Sequence, residues 1–303
     1  MNPSSPSAER LPALDQLRGL VMILMALDHT RDFFASAPFD PLDLAATTPA
    51  YFLTRWVTHF CAPVFVLLAG LGAYLYGSRG RTCAQVSRFL LLRGLLLIVL
   101  ELTVVNFGWH FDEQPGFYLL QVIWALGWSM LALAGLVWLP VWAVGAVGAL
   151  MIVGHNLLDS FRSPPLGLPD WLWTILHVPG NLYVRGGAQV FVLYPLVPWI
   201  GVMALGYALG PLFLRPAPER HRWLIALGLA LSLAFILLRL INRYGDPLPW
   251  EPQRTALWAV FAFLNAEKYP PSLDFLLMTL GPALLLLAWL DRAPGRIGQI
   301  LIT

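Results

Sequence analysis

The chain has 303 residues, 58% of them hydrophobic and 12% charged, with a mean hydropathy of +0.68. Soluble domains carry about 25% charged residues, so a water-soluble fold has nowhere to put this apolar surface, whereas lipid accepts it on the outer faces of helices. A net charge of +2 points to no nucleic-acid partner, and two cysteines, Cys61 and Cys83, make neither a disulfide framework nor a CxxC metal pattern.

The expected fold is all-α, a polytopic transmembrane helix bundle forming a single domain over residues 1–303. The first sixteen residues, MNPSSPSAERLPALDQ, read as a polar cytoplasmic tail. No small-residue cleavage site follows them, so the first apolar segment is expected to remain as a span. At roughly 20 apolar residues per crossing, the sequence predicts about eight spans, at 17–36, 53–76, 88–108, 117–138, 140–158, 189–213, 223–241 and 273–290. Only Leu139 and Pro140 separate the fourth and fifth, which predicts a tight helical hairpin. Trp109, Trp124, Trp128, Trp138, Trp142, Trp171, Trp173, Trp199 and Trp250 are expected near the membrane interfaces. The spacings Gly206–Gly210 and Gly145–Gly148 predict close helix contact. The closing run IGQILIT, just after the charged turn DRAPGR, reads as the start of a further helix.

Arginines gather on the side of the N-terminus: Arg10, Arg18, Arg79, Arg81, Arg88, Arg93, Arg215, Arg220, Arg222, Arg292 and Arg296. By the positive-inside rule this side is cytoplasmic, and the expected location is the cell (inner) membrane. The outer segments 37–52, 159–188 and 242–272 are long enough to be lids or binding surfaces.

An ionisable residue inside a span costs about 2.5–3.5 kcal/mol on insertion scales, so each one needs a reason. The first span ends in LDHTRDFF, where Asp28 and Arg31, and His29 and Asp32, stand three apart on one helix. The second opens with TRWVTHFCAPVF, with Arg55 and His59 four apart. The first span runs outward and the second returns, so both clusters fall at one depth, joined by Glu101 and Asn106 of the third span. Asp28 and Arg31 serve equally well as a structural pair locking two helices. His110 and His177 read as interfacial loop residues, and His155 and His221 as span-end residues. No His and carboxylate spacing here matches a metal site.

The opening RLPALDQLRGLVMILMALDH, with Arg10, Asp15, Arg18 and Gly19, resembles the start of the catalytic domain of the heparan-alpha-glucosaminide N-acetyltransferase family. CAPVFVLLAG (61–70), YPLVPWIGVMALG (194–206) and FLNAEKYPPSLDFLLMTLGP (263–282) resemble further strings of its bacterial branch, in the same order. The resemblance implies a membrane acyltransferase that takes acetyl-CoA from the cytoplasm and acetylates a sugar amine or hydroxyl of an envelope glycan on the far side. It also implies a catalytic His. The human-type enzymes carry that His in the loop after the first span. Here the loop ASAPFDPLDLAATTPAY has none, and the role falls to His29 or His59.

The chemistry needs a base for the acceptor's proton, met by an imidazole, and donors for an oxyanion, met by Arg31 or Arg55. Asp32 is placed to orient His29. The phosphates of CoA would meet arginines at the inner face, with Arg18, Arg79, Arg81, Arg88 and Arg93 the obvious set. Asp28, Arg31, Glu101 and His59 would alternatively form the relay of a proton-coupled transporter, although no internal repeat of the transporter kind is visible. The reading allows a homodimer.

Overall fold

The computed structural model describes residues 11–36, 38–111, 116–161, 164–183 and 187–292, the side chains of His110 and Leu166 excepted. Arg10, Arg296, most of the expected tail and the IGQILIT run lie outside these residues.

Helix α1 (Pro12–Phe34) begins with Pro in its first turn, a position that needs no N–H donor. Asp15 in the first turn and Arg31 in the last complement the helix dipole. The helix therefore takes over part of the expected 1–16 tail. Helix α2 (Pro49–Thr58) starts on a Thr48 cap, and α3 (Cys61–Gly77) follows it directly. The chain breaks between them at His59 and Phe60 because Pro63 has no N–H to give to the carbonyl four residues back, that of His59. Helix α4 (Cys83–Leu100) opens on a Thr82–Gln85 capping box and runs through a π turn, Glu101–Val105, into α5 (Asn106–His110).

Next come β1 (Phe117–Leu120), α6 (Val122–Leu136), α7 (Val141–Gly154), a 3-10 turn (His155–Leu158), α8 (Asp170–Leu176), β2 (Gly180–Tyr183) and β3 (Gln189–Val192). The chain closes with α9 (Leu196–Ala208), α10 (Ala217–Ile241), α11 (Ala256–Leu264) and α12 (Leu273–Arg292). Two segments expected as the starts of spans are instead strands. FYLL and QVFV are aromatic and β-branched runs, and β1 pairs parallel with β3, which pairs antiparallel with β2.

Among the described residues, six helical stretches are long and apolar enough to cross a membrane: Pro49–Gly77, Cys83–Trp109, Val141–Leu158, Leu196–Leu214, Ala217–Ile241 and Leu273–Arg292. The fold is an all-α polytopic bundle with a small sheet, and these six fall short of the expected eight. The two remaining segments differ for separate reasons. Helix α1 carries Asp15, Arg18, Asp28, Arg31 and Asp32. Helix α6 has 15 residues, a length of about 22 Å against a hydrocarbon core of about 30 Å.

Packing centres on α3, α9 and α12. Helix α9 takes α3, α6 and α7 on its sides, α10 lies along α12, and α1 rests on α3 and α12. The expected α6–α7 hairpin is open, because α6 packs mainly on α4 and α7 on α9. Trp124, Trp173 and Trp199 are buried in the protein, whereas Trp138, Trp142 and Trp171 are exposed. Outward faces of α4 and α10, with Leu92, Leu96, Leu233 and Leu237, are apolar and exposed, as a lipid-facing surface requires.

The α3–α9 seam depends on two glycines. A Cβ on Gly70 would sit 1.9 Å from the Met203 carbonyl oxygen, and one on Gly206 would sit 2.1 Å from that of Leu67. Gly206→Val is expected to force the helices apart and cost about 1–3 kcal/mol or more, read as a lower melting temperature in detergent.

Candidate active site

The break at Pro63 places His59 where two helices meet, with its ring fully buried and 5.2 Å from that of Phe275. Neither ring nitrogen has a hydrogen-bond partner. The imidazole lines a cavity of about 290 Å³ together with Arg55, Lys268, Tyr269, Glu267, Asp40 and Asp43.

Beside it, Asp28 joins α1 to α2. Its Oδ1 accepts from Arg55 Nη1 at 2.9 Å and from Thr58 Oγ1 at 2.7 Å, its Oδ2 lies 3.1 Å from Arg55 Nη1, and Arg31 Nη2 also donates to it. The second guanidinium nitrogen of Arg55 donates to the Tyr269 hydroxyl at 3.3 Å. Arg31 also donates to Asp32 at 2.9 Å. Burial pushes the Glu267 carboxyl up from the usual carboxylate range, against the hydrogen bonds it accepts from the backbone at Tyr269 and Lys268.

The sequence-predicted residues thus separate. Asp28, Arg31, Arg55 and His59 come together, with Asp32 at the edge through Arg31. His29 packs elsewhere, edge-on to Trp109 at 5.4 Å, where Phe33 also stacks. Its Nδ1 has no partner, so Asp32 does not orient it there. Glu101 is also apart. Its carboxylate accepts from the backbone N–H of Gln121 at 2.8 Å and of Trp124 at 3.3 Å, and so closes the N-terminus of α6. His177, expected in an interfacial loop, is buried, and so is His155 at its span end; His177 Nε2 lies 3.3 Å from Asp159 Oδ1, and the two rings are 6.1 Å apart. His221 hydrogen-bonds the Ala288 carbonyl, a packing role.

Two residues of the cavity wall, and a third packed behind them, escape a reading of spans, because they arrive from segments distant in sequence. Lys268 and Tyr269 come from the 242–272 segment, and Tyr194, whose ring lies 5.3 Å from that of Tyr269, comes from the turn before α9. The segment is held by Arg239, which is 1% exposed. Its guanidinium donates to the carbonyls of Phe263 at 2.9 Å, Asn265 at 2.8 Å, Ala262 at 3.2 Å and Leu248 at 3.2 Å, with Asp246 at 3.7 Å and Asp274 at 3.9 Å. Arg239 in the last turn of an apolar helix was the visible signal.

At the other end of the bundle a larger cavity, of about 1000 Å³, is lined by Arg18, Arg79, Arg93, Arg215 and Arg220, with Asp15 and Asp291. Arg220 forms a two-bonded pair with Asp291, at 2.9 and 2.7 Å. Arg81 is not in this lining: it folds back onto the Tyr76 carbonyl at 3.0 Å and over the Tyr76 ring. Arg88 is exposed and also outside it. From Arg18 to Asp28 the rise along α1 is about 15 Å, which sets the separation of the two sites.

Fold and site define a polytopic membrane protein with an imidazole-bearing polar cavity at one end of its bundle and an arginine-lined cavity at the other. The sequence profile of the heparan-alpha-glucosaminide N-acetyltransferase catalytic domain matches residues 10–240. The chain belongs to that family, which makes it a membrane acyltransferase of the acetyltransferase kind. A comparison with curated proteins finds no match.

Proposed function

We propose that the chain moves an acetyl group from acetyl-CoA, bound at the arginine-lined cavity, to an amine or hydroxyl of a sugar held at the His59 cavity. Family membership supports the reaction class. The observation that carries the assignment of the site is His59, buried in a polar cavity with both ring nitrogens free to exchange a proton. The neutral imidazole takes the acceptor's proton as the acceptor attacks the thioester carbonyl. The Lys268 ammonium and the Arg55 guanidinium stabilise the oxyanion that develops there. Asp28 holds Arg55 in place and keeps the local charge balanced.

The phosphates of CoA are anchored by Arg18, Arg79 and Arg93, with Arg215 and Arg220 beside them. The pantetheine arm is long and narrow, and about 15 Å of helix is a span it can cover. The positive-inside rule supports a cytoplasmic arginine end in the cell (inner) membrane, with acetyl-CoA on that side and an envelope glycan or amino sugar on the other.

Purified protein given acetyl-CoA and amino sugars is expected to release CoA thiol in step with acetylated sugar. Proton-driven solute uptake into vesicles without thioester consumption would instead establish a transporter. Arg18→Gln and Arg93→Gln are each expected to raise the KM for acetyl-CoA about tenfold, the worth of one charge-assisted hydrogen bond. Arg81→Gln is expected to leave it within about twofold.

A further inference from the structure

Tyr269 lies beyond the matched residues 10–240 and has no role in the family assignment. Its side chain nonetheless sits among polar groups from three parts of the chain. Arg55 Nη2 of α2 donates to its hydroxyl at 3.3 Å, the Lys268 side chain stands beside its ring, and the Tyr194 ring lies 5.3 Å from its own. The Lys268 Nζ lies 5.2 Å from the Tyr269 ring centre. Lys268 is 6% exposed, and no carboxylate stands within ion-pairing distance of it among the described residues. The other charges near the phenol are Asp28, held by Arg55, and Glu267, whose Oε1 accepts from the Tyr269 backbone N–H at 2.8 Å. The ring faces the same cavity as His59.

A phenolic oxygen that accepts from a half-buried guanidinium and has a buried ammonium close by is built to carry negative charge. We propose that Tyr269 is the catalytic acid of the transfer, giving its proton to the departing CoA thiolate while His59 takes the acceptor's proton. This rests on the acetyltransferase reading above. The balance closes within the site. The acceptor–carbonyl bond forms and the carbon–sulfur bond breaks. The acceptor's proton goes to His59, the Tyr269 proton goes to sulfur, and the His59 imidazolium then returns a proton to the phenolate. Both residues end as they began, with CoA leaving as the thiol.

Burial by itself would raise the Tyr269 phenol; the Lys268 ammonium and the Arg55 guanidinium outweigh it and lower it below the usual tyrosine value. Tyr194 moves the opposite way, raised by burial and by its neighbour.

Two measurements on the full chain in detergent test the proposal. In ultraviolet titration, the wild type is expected to show one tyrosine of its nine ionising below the others. Tyr269→Phe removes that step and Lys268→Gln moves it to higher pH. In steady-state kinetics, Tyr269→Phe is expected to lower kcat about 10²-fold with acetyl-CoA binding and melting temperature unchanged. The wild-type rate falls at alkaline pH as the acid is lost, and Lys268→Gln shifts that fall upward. A Tyr269→Phe titration superimposable on wild type, or a Tyr269→Phe enzyme at full rate with the alkaline limb intact, overturns the proposal. If the low-lying ionisation is present but the wild type transfers no acetyl group, the acetyltransferase reading has failed and the acid role falls with it.

Discussion

His59→Ala is expected to lower the rate of acetyl transfer by about 10²–10⁴-fold, the usual contribution of one general acid–base group. Binding of acetyl-CoA, measured by calorimetry, is expected to stay the same, because the arginine-lined cavity lies at the other end of the bundle. The contrast with His29→Ala carries the information. His29 leans on Trp109 at 5.4 Å and is not in the cavity wall, so its loss is expected to cost packing more than turnover. Equal losses in the two variants, or a fully active His59→Ala, would show that the proton leaves the acceptor by another route. His59→Gln adds a finer test, since it restores a polar group of similar reach without a base.

Arg239→Met is expected to destabilise the protein by about 3–5 kcal/mol, the range for removing one partner of a buried ion cluster. The guanidinium serves four backbone carbonyls and two carboxylates at once. Methionine fills the volume but takes one donor from each of the four carbonyls and the cation from the two carboxylates. Burial and hydrogen bonding pull the Asp246 carboxyl in opposite senses: burial, the larger, raises it, while the backbone N–H groups of Glu267 and Leu248, Ser272 and Arg239 lower it. Without the cation, its charged form loses a partner and the 242–272 segment loses its anchor. Arg239→Lys keeps the charge but not the planar fork, and it is expected to recover less than half of the loss. Thermal unfolding in detergent measures both, and because Lys268 and Tyr269 ride on this segment, activity is expected to fall with stability. A melting temperature unchanged in Arg239→Met would mean that the segment is held by its apolar contacts alone.

Much of this arrangement is written locally in the sequence. Asp28 and Arg31, three apart, do pair, and the return of the second span brings Arg55 to the same carboxylate. Pro63 marks the helix break that leaves His59 at a junction. The rest depends on rotation and on distant chain segments. Consecutive residues of a helix point about 100° apart, so Asp28 and His29 cannot both face α2, and only packing chooses between them. The π turn after Leu100 resets the facing of the third span and turns Glu101 toward the start of α6. Tyr269 meets Arg55 across 214 residues of chain, a contact that no spacing rule reaches. The CoA set divides for a similar reason: Arg18, Arg79 and Arg93 line the cavity, while the equally basic Arg81 finds the Tyr76 ring of its own hairpin first.

The most direct test uses sealed proteoliposomes in which acetyl-CoA is supplied on the arginine side only and glucosamine is enclosed on the other. The account predicts acetylated amino sugar inside the vesicles, one equivalent of CoA thiol outside for each acetyl moved, and neither product with His59→Ala. Product formed only when donor and acceptor share a side, or formed undiminished by His59→Ala, would contradict it.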